Sequence, residues 1–426
     1  MTDTEEFDPD EPDYRIPQGG GVPWRDMGMD ETHRPADRDV EITDVKTMAI
    51  AGNFTWGIVK VETNTDHYGL GETFRAEAAL DMAGRMDVDL AGENPLDTDR
   101  IVELLNQRYT GCGRIGQAAF TAIETACYDI KGKLLGVPVY ELLGGKYRDS
   151  IKIYCDTHGG ESLGEAEAHD PRDVYTPESY ARAAREVVDE GFEALKFDLD
   201  VPTHADYDEA NRRMDNAALE HKAQLVEAVR DEIGYDVDLG MDLHWNFTVE
   251  TAVRLGRKLE EYDLAWLEDP CPPEKTDAQR RVREKLDTPV LTGENLVTPA
   301  QFHEALDAGI MDIAAPDVNK CGGLGEMRTI AKLCDLYGVP IASHNISSPL
   351  GTVAGAHLSA AIPNFVAMEY HSRDVPWWNE FATRTAGSGP ILEDGYIDVP
   401  EGPGLGVEID RDLAEQYLTD DSELIV

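Results

Sequence analysis

The chain has 426 residues, and its 84 acidic residues against 38 lysines and arginines give a formal net charge of −46. A surface this acidic repels nucleic acid and anionic membranes, so neither is expected as a partner. The acids are spread through segments with apolar periodicity, which favours a folded protein adapted to a high-salt cytoplasm over a disordered acidic chain.

The first third of the sequence predicts an arm followed by a small α+β module. Residues 1–38 are rich in Pro, Gly and Asp and are predicted to form an acidic arm without an apolar signal core. No run of about 18 apolar residues occurs, and the six cysteines lack zinc-binding spacing, so we expect a cytoplasmic protein with reduced thiols. The pattern from 39 to about 90 is typical of strands, with a turn at Gly69 to Gly71, and from 97 to 145 it is helical.

After Asp149 the chain alternates short apolar runs with amphipathic helical segments. Eight runs predict strands, at 151–157, 193–199, 237–243, 264–268, 289–294, 311–316, 340–344 and 365–369. Helix boundaries between them are marked by an N-cap before proline or by a C-cap glycine, at Thr176-Pro177, Thr298-Pro299, Gly191, Gly234 and Gly309. Eight such units predict a parallel (β/α) barrel.

Polar residues stand at the ends of these strands, where barrel enzymes carry their chemistry. They are Lys196, Asp198, Asp242, His244, Glu268, Glu294, Asp317, His344 and Glu369. One acid at such a position is usually a helix N-cap, but acids or imidazoles at seven consecutive strand ends predict one converging site.

Asp242, Glu268 and Glu294 are the predicted metal ligands, because they follow three neighbouring strands. Three close carboxylates repel one another and raise one another's pKa unless a cation joins them. An all-oxygen set with room for water or substrate suits Mg²⁺. The alternative is that all three are N-caps or salt-bridge partners.

Two histidines are predicted to act as acid and base. The carboxylate of Asp317, on the preceding strand, could hold His344 in one tautomer and raise its basicity. In GMDLHWNF, alternation along a strand would place Asp242, His244 and Asn246 on one face. We favour His244 as a general acid over a fourth ligand, since Mg²⁺ prefers oxygen. Asn246 would then orient the substrate or the histidine, or have no role.

An ordered set of motifs in this chain resembles the enolase superfamily. The set begins with AIETACYDIKGKLLGVPVYELLGG and continues with LKFD, MDLHW, WLEDP, TGEN, APDVNKCGG, ASHN and AMEYH. Within it they are similar to the mandelate racemase subgroup and its acid-sugar dehydratases, over residues 40 to 410. The resemblance implies a capping domain, formed by 39–150 and the returning segment 376–426. The cap closes over a modified (β/α)₇β TIM barrel at 151–375. It also implies a homo-oligomer, either a dimer or an octamer.

The resemblance assigns roles as well. It implies Mg²⁺ at the three carboxylates, an Asp317–His344 dyad as the general base, and Glu369 as hydrogen-bond partner of the enolised substrate carboxylate. The dehydratases carry Asp-x-His on the third barrel strand as the source of the general acid, which Asp242 and His244 match.

The sequence differs from the family's motifs at two positions, and these differences argue against two of the family's activities. Racemases of the subgroup have Lys-x-Lys on the second barrel strand, where this chain has Lys196, Phe197 and Asp198. Two-base racemisation is therefore disfavoured, although Lys196 can still neutralise a substrate carboxylate. The lactonising branch has a lysine in place of Asp317, and Lys320 is predicted to be structural.

The expected activity is dehydration of a 2,3-dihydroxy sugar acid to a 2-keto-3-deoxy acid. His344 would remove the C2 proton and His244 would protonate the departing 3-hydroxyl. An acid-sugar epimerase and a non-catalytic ligand-binding relative remain alternatives.

Substrate contacts are expected at the strand ends and in three segments of the cap and barrel rim. The segments are Asn53 to Trp56, His158 to Tyr175 and Tyr370 to Trp378, and the predicted contact residues are Asn53, Trp56, His158, Asp198 and Asn246. The acids between 161 and 175 are interpreted as a solvated face.

Overall fold

The computed structural model describes residues 39–74, 76–159, 174–201 and 212–426. Within it, Val40–Val426 form one unit. The predicted acidic arm, residues 1–38, lies outside the described residues, and so does 160–173, which holds nearly all of the acidic segment.

An antiparallel three-stranded sheet with helices packed on it forms the N-terminal part. The strands are β1 Ile42–Ala51, β2 Thr55–Thr63 and β3 Tyr68–Thr73, paired in this order. The helices are α1 Ala76–Arg85, α2 Asp87–Leu90, α3 Thr98–Arg108, α4 Gly113–Leu135 and α5 Val139–Leu142. The strand-like interpretation of residues up to 90 is therefore wrong beyond β3.

The predicted turn at Gly69 to Gly71 is also wrong, because both glycines lie inside β3. A Cβ on Gly69 would lie 1.9 Å from the carbonyl oxygen of Ala126, and one on Gly71 would lie 2.0 Å from that of Ala122. These glycines let β3 pack directly against α4; they do not bend the chain.

A closed barrel of eight parallel strands forms the centre of the fold. Its strands are β4 Ser150–Thr157, β5 Ala194–Asp198, β6 Asp238–Asp242, β7 Trp266–Glu268, β8 Val290–Thr292, β9 Ile313–Ala314, β10 Ile341–Ser343 and β11 Phe365–Tyr370. They neighbour one another in chain order, and β11 pairs with β4 to close the ring. All eight predicted strands and the barrel are confirmed.

Within the described parts of the chain, seven α-helices connect the eight barrel strands. They are α6 Pro177–Asp189, α7 Asn216–Ile233, α8 Val249–Leu259, α9 Thr276–Arg283, α10 Pro299–Ala308, α11 Leu324–Leu336 and α12 Pro349–Ala361. The predicted N-caps Thr176 and Thr298 are confirmed by their side-chain bonds to Ser179 N and Gln301 N. None of the described helices is both long and apolar enough to span a bilayer.

Seven helices thus alternate with eight barrel strands, which is the (β/α)₇β arrangement. The described chain after β11 continues with short strands and one short helix. The elements are β12 Ala382–Arg384, β13 Tyr396–Asp398, β14 Val407–Ile409 and α13 Arg411–Gln416. The C-terminal segment then returns to β1, where the amide of Ala51 bonds to the carbonyl of Tyr417 and that of Thr419 bonds to Ala49.

An apolar floor fills the barrel beneath the strand ends. Tyr154 and Trp266 cross it edge to face with ring centroids 5.1 Å apart. Gly240 makes room for them, because a Cβ there would lie 2.4 Å from the Trp266 ring. Leu291 and small buried alanines, including Ala194, complete this cluster. On every barrel strand except β8, the polar side chain lies two residues beyond a residue of this floor and points the same way, so a polar layer rests directly on the floor.

Two buried glutamates of the cap bind the N-termini of barrel helices. Glu72 accepts hydrogen bonds from the amides of Ser348 and Gly351 at the start of α12. Glu124 accepts bonds of 2.9 and 2.8 Å from the amides of Leu324 and Gly325 at the start of α11. These helix ends are therefore filled by carboxyl groups of the protein itself, which also tie the cap to the barrel.

Replacing Glu124 by Gln should change how stability depends on pH. Burial and the nearby acids raise the pKa of Glu124 to about 8, against the two amide bonds. The native state therefore holds a proton that the unfolded state releases, so this group's stabilisation is present in acid and is lost as pH rises through about 8. Glutamine cannot ionise, so the variant lacks this loss of stability. We therefore expect the free energy of unfolding of the variant, minus that of the wild type, to increase between about pH 5 and 9.

Urea unfolding of both proteins at constant salt measures this difference. A constant difference across the pH range would contradict the role given to Glu124. The exposed Glu141→Gln is a matched control and should leave the pH dependence unchanged.

Candidate active site

Every barrel strand contributes a polar side chain to its C-terminal end. In strand order these are Asp156, Lys196, Asp242, Glu268, Glu294, Asp317, His344 and Glu369, all of them buried. Asp156 was not singled out from the sequence. The available signal was its position two residues after the inward-facing Tyr154 in β4.

Lys196 lies at the centre of this layer among four carboxylates. Its Nζ is 2.8 Å from Glu369 Oε1, 2.9 Å from Asp242 Oδ2, 3.3 Å from Glu268 Oε2 and 3.9 Å from Asp156 Oδ2. Burial acts to lower the pKa of Lys196, but the four carboxylates outweigh it and raise the pKa well above its usual value. The centre therefore contains a fixed cation.

The same layer holds the predicted metal ligands. Two groups have donor atoms within 4.8 Å of one another, Glu268–Asp269–Glu294 and Asp198–Asp242–His244. The predicted ligands are thus divided between two groups, which Lys196 connects. Asp269 was missed because strand alternation would turn it away from Glu268; its backbone has left the strand, with φ +39°.

The chemistry of these donors fits a hard divalent cation. Glu268 Oε1 is buried and has no hydrogen-bond partner among the residues that the structure describes. Burial and the charge of Asp242 raise the pKa of Glu268 well above its usual value, although Lys196 acts against them. An unpartnered oxygen within a buried, oxygen-rich cluster is the environment that Mg²⁺ would stabilise.

His344 is held on both ring nitrogens. Nδ1 lies 2.7 Å from Asp317 Oδ2, and Nε2 lies 2.8 Å from Glu294 Oε2 and 3.9 Å from Glu369 Oε2. Burial acts to lower the pKa of His344, but these carboxylates raise it to about 10. Because Glu294 is also a predicted ligand, a bound cation and a protonated His344 would compete for the same carboxylate. The predicted pairing of His344 with Asp317 is present in the structure.

Lys320, which was predicted to be structural, also reaches this side of the site. Its Nζ lies 3.6 Å from Asp317 Oδ2 and 3.9 Å from Glu294 Oε1. It therefore places a second cation beside the His344 pair.

His244 reaches the site through a turn, which corrects the prediction that it shares a strand face with Asp242 and Asn246. Strand β6 ends at Asp242, and His244 and Trp245 have φ of +39° and +60°. Such left-handed backbone costs of order 1–3 kcal/mol per residue and persists where surrounding contacts enforce it. Here the amide of His244 bonds to Asp242 Oδ1 at 2.9 Å, and that of Trp245 bonds to the carbonyl of Asp269 at 2.7 Å.

The His244 ring lies between two sets of carboxylates. Nε2 lies 3.7 Å from Asp242 Oδ2, and Nδ1 lies 3.2 Å from Asp200 Oδ1 and 3.8 Å from Asp198 Oδ1. Burial acts to lower its pKa, but the three acids raise it to about 12. Asp200, which also accepts a bond from Asn246 Nδ2, was missed because it lies two residues beyond β5.

A cavity of about 760 Å³ is lined by Asn53, His158 and His371, among other residues. The amide of Asn53 donates to the carbonyl of His371 at 2.8 Å, so this predicted contact residue links the cap to the barrel rim. His158 Nδ1 lies 3.5 Å from Asp198 Oδ2, and His371 Nε2 lies 3.3 Å from Asp156.

Trp56 is placed differently from the other predicted contact residues. It is 2% exposed, and its ring packs against Trp377 and Phe381 with centroids 5.3 and 5.6 Å away. Trp56 therefore lies in the core beneath the loop that carries Asn53, and supports that loop from below.

Comparison with known proteins identifies the family. Residues 39–144 match the model of the mandelate racemase / muconate lactonizing enzyme N-terminal domain, and residues 179–413 match that of the enolase C-terminal domain-like family. The chain therefore belongs to the enolase superfamily, in its mandelate racemase subgroup, as its motifs implied.

Individual relatives span nearly the whole chain. A D-xylonate dehydratase from Haloferax volcanii is 41% identical over 391 residues, which cover 91% of this chain and 91% of that protein. A D-galactonate dehydratase family member from Musicola paradisiaca is 32% identical, with 89% and 95% covered. The crystal structure of a mandelate racemase/muconate lactonizing enzyme-like protein from Rubrobacter xylanophilus has a TM-score of 0.85 at 36% identity, with 91% and 99% covered.

Proposed function

We propose that this protein is a hydro-lyase that dehydrates a sugar acid to a 2-keto-3-deoxy acid. The observation that carries the proposal is the placement of two imidazoles, each paired with a carboxylate, around the Lys196 centre. His244 follows β6 and His344 follows β10, and these strands are four places apart in the closed ring of eight. The two rings therefore approach the centre from opposite sides of the barrel, as removal of a proton and of a hydroxyl from opposite faces requires.

His344 is the base in this proposal. Its Nδ1 is held by Asp317, so Nε2 faces the centre, where it takes the C2 proton. The C2–H electrons first move into a C1–C2 double bond, so negative charge develops on the substrate carboxylate; they form the C2–C3 double bond only when the C3–O bond breaks. In this proposal the ammonium of Lys196 stabilises that charge, and the adjacent Glu369, which accepts a bond from the amide of Asn345, hydrogen-bonds the enolised carboxylate.

His244 is the acid. The C3–O bond breaks as Nε2 gives its proton to the departing hydroxyl, which leaves as water. The resulting enol takes a proton at C3, gives up its O–H proton and becomes the ketone. The proton that His344 gained replaces the one that His244 gave, so atoms and charge balance without an oxidant or a reductant.

A divalent cation, which we propose to be Mg²⁺, would be held by Asp242, Glu268 and Glu294, with Asp269 beside them. When bound, it would supply electrostatic stabilisation of the negative charge on the substrate carboxylate. The buried, unpartnered Glu268 Oε1 supports this assignment.

The substrate class is supported by the relatives, whose names include dehydratases of D-xylonate, D-gluconate and D-mannonate. The test is a panel of these acids and D-galactonate, incubated with the protein and Mg²⁺ and analysed by NMR for 2-keto-3-deoxy products. We expect a keto product from at least one of them. An isomer without keto product would indicate an epimerase, and no reaction with any acid would overturn the proposal.

We further propose that the protein works in a salt-rich cytoplasm, and its net charge of −46 supports this. Lowering the salt from 1 M to 0.1 M lengthens the screening distance from about 3 Å to about 10 Å, so repulsion between surface acids grows. The thermal midpoint should therefore fall when KCl is diluted over this range. A midpoint that stays constant, measured by circular dichroism, would contradict adaptation to high salt.

A further inference from the structure

Asp200 contacts both polar side chains of the turn that follows β6. Its Oδ1 lies 3.2 Å from His244 Nδ1, and its Oδ2 accepts a 2.5 Å bond from Asn246 Nδ2. Each carboxylate oxygen thus has its own partner. The neighbouring Asp198 is further from the same nitrogen, at 3.8 Å, and its other oxygen faces His158.

The backbone around Asp200 is anchored on three sides by buried groups. The hydroxyl of Tyr180 donates to the carbonyl of Asp198 at 2.8 Å, and the amide of Leu199 donates to the carbonyl of Asp242 at 2.8 Å. The ammonium of the fully buried Lys222 donates to the carbonyl of Val201 at 2.6 Å. Asp200 is therefore presented from a fixed segment, although it lies beyond the end of β5.

We infer that Asp200 is the positioning residue of His244, as Asp317 is of His344. By accepting a hydrogen bond from Nδ1–H, it turns Nε2 toward Asp242 and the centre of the site, where the leaving hydroxyl must be protonated. The two halves of the site would then be built alike, each from an imidazole and a carboxylate that comes from a different strand end. This inference rests on the proposed dehydration.

The substitution Asp200→Asn tests this role, because an amide can donate to Nδ1 as well as accept from it and no longer holds one tautomer. We expect kcat for dehydration to fall about 100-fold or more, with KM changed less than about threefold. Exchange of the C2 proton with solvent deuterium should persist, since His344 and Asp317 are untouched. The double variant with His244→Asn should be no slower than His244→Asn alone, because Asp200 acts through that ring.

Asp198→Asn is the comparison variant, since it removes an equal charge near His244 Nδ1 but leaves the closer contact of Asp200 in place. Because Asp198 is also a predicted substrate contact, the comparison is made on kcat and not on KM. It should lower kcat clearly less than Asp200→Asn does. Equal effects of the two variants, additive loss in the double variant, loss of C2 exchange in Asp200→Asn, or an unchanged kcat would each overturn the role of Asp200. A wild-type protein that yields no keto product from any sugar acid would instead overturn the proposed function, so the two failures are distinguishable.

Discussion

Replacing His344 by Asn should abolish both dehydration and exchange of the substrate's C2 proton with solvent deuterium. Loss of a positioned base costs about 10²–10⁴-fold, and no other imidazole contacts Glu294 and Glu369 among the described residues. His244→Asn should block dehydration only, because His344 still removes the proton. Some exchange then survives, provided that the proton leaves His344 before it returns to carbon. The measurement is NMR of the substrate in D₂O with each variant.

The results for the His344→Asn and His244→Asn variants distinguish a dehydratase from an epimerase. An epimerase that used His244 as its second base would exchange only one epimer in His244→Asn, and its wild type would give the C2 isomer without keto product. Dehydration at the wild-type rate by His244→Asn would show that His244 only lines the pocket, which would contradict the proposed acid.

Removal of divalent cations should abolish turnover, and Mg²⁺ should restore it. Four carboxylates already surround Lys196, so charge on the substrate carboxylate needs further compensation there. Glu268→Gln removes one anionic ligand and should lower kcat by several orders of magnitude. A second readout does not depend on activity: Mg²⁺ should raise the thermal midpoint of the wild type, since a ligand that binds the native state stabilises it.

That rise in midpoint should be lost in Glu268→Gln. Asp277→Asn is the control for the change of charge, because Asp277 is 92% exposed, and it should respond to Mg²⁺ as the wild type does. Full activity of the metal-free protein in chelator, or an equal Mg²⁺ response of Glu268→Gln, would overturn the metal site.

The sequence by itself determined the barrel and the positions of most of its polar residues. Apolar runs bounded by caps such as Thr176 and Thr298 are local signals, and all eight strands were found at them. The convergence of Lys196, Glu268 and His344 follows from topology alone, because parallel strands in a closed ring end on the same side.

Only the tertiary structure decided the roles of residues whose contacts are distant along the chain. Gly69 and Gly71 are typical of a turn in sequence, but their role depends on the approach of α4, more than 40 residues away along the chain. Trp56 is buried where Trp377 and Phe381, which are distant along the chain, pack on it.

The stretch GMDLHWNF shows the same division within the site. Its apolar residues predicted β6, and Asp242 at the end of that strand is where alternation placed it. The direction of His244, however, is set by two left-handed residues, and these are held by bonds to Asp242 and to Asp269, the residue just after the next strand. Its partner Asp200 lies two residues beyond the end of the preceding strand, β5. Strand periodicity ends where the strand ends, and beyond that point the direction of a side chain depends on hydrogen bonds to segments that are distant in sequence and meet only in the closed barrel.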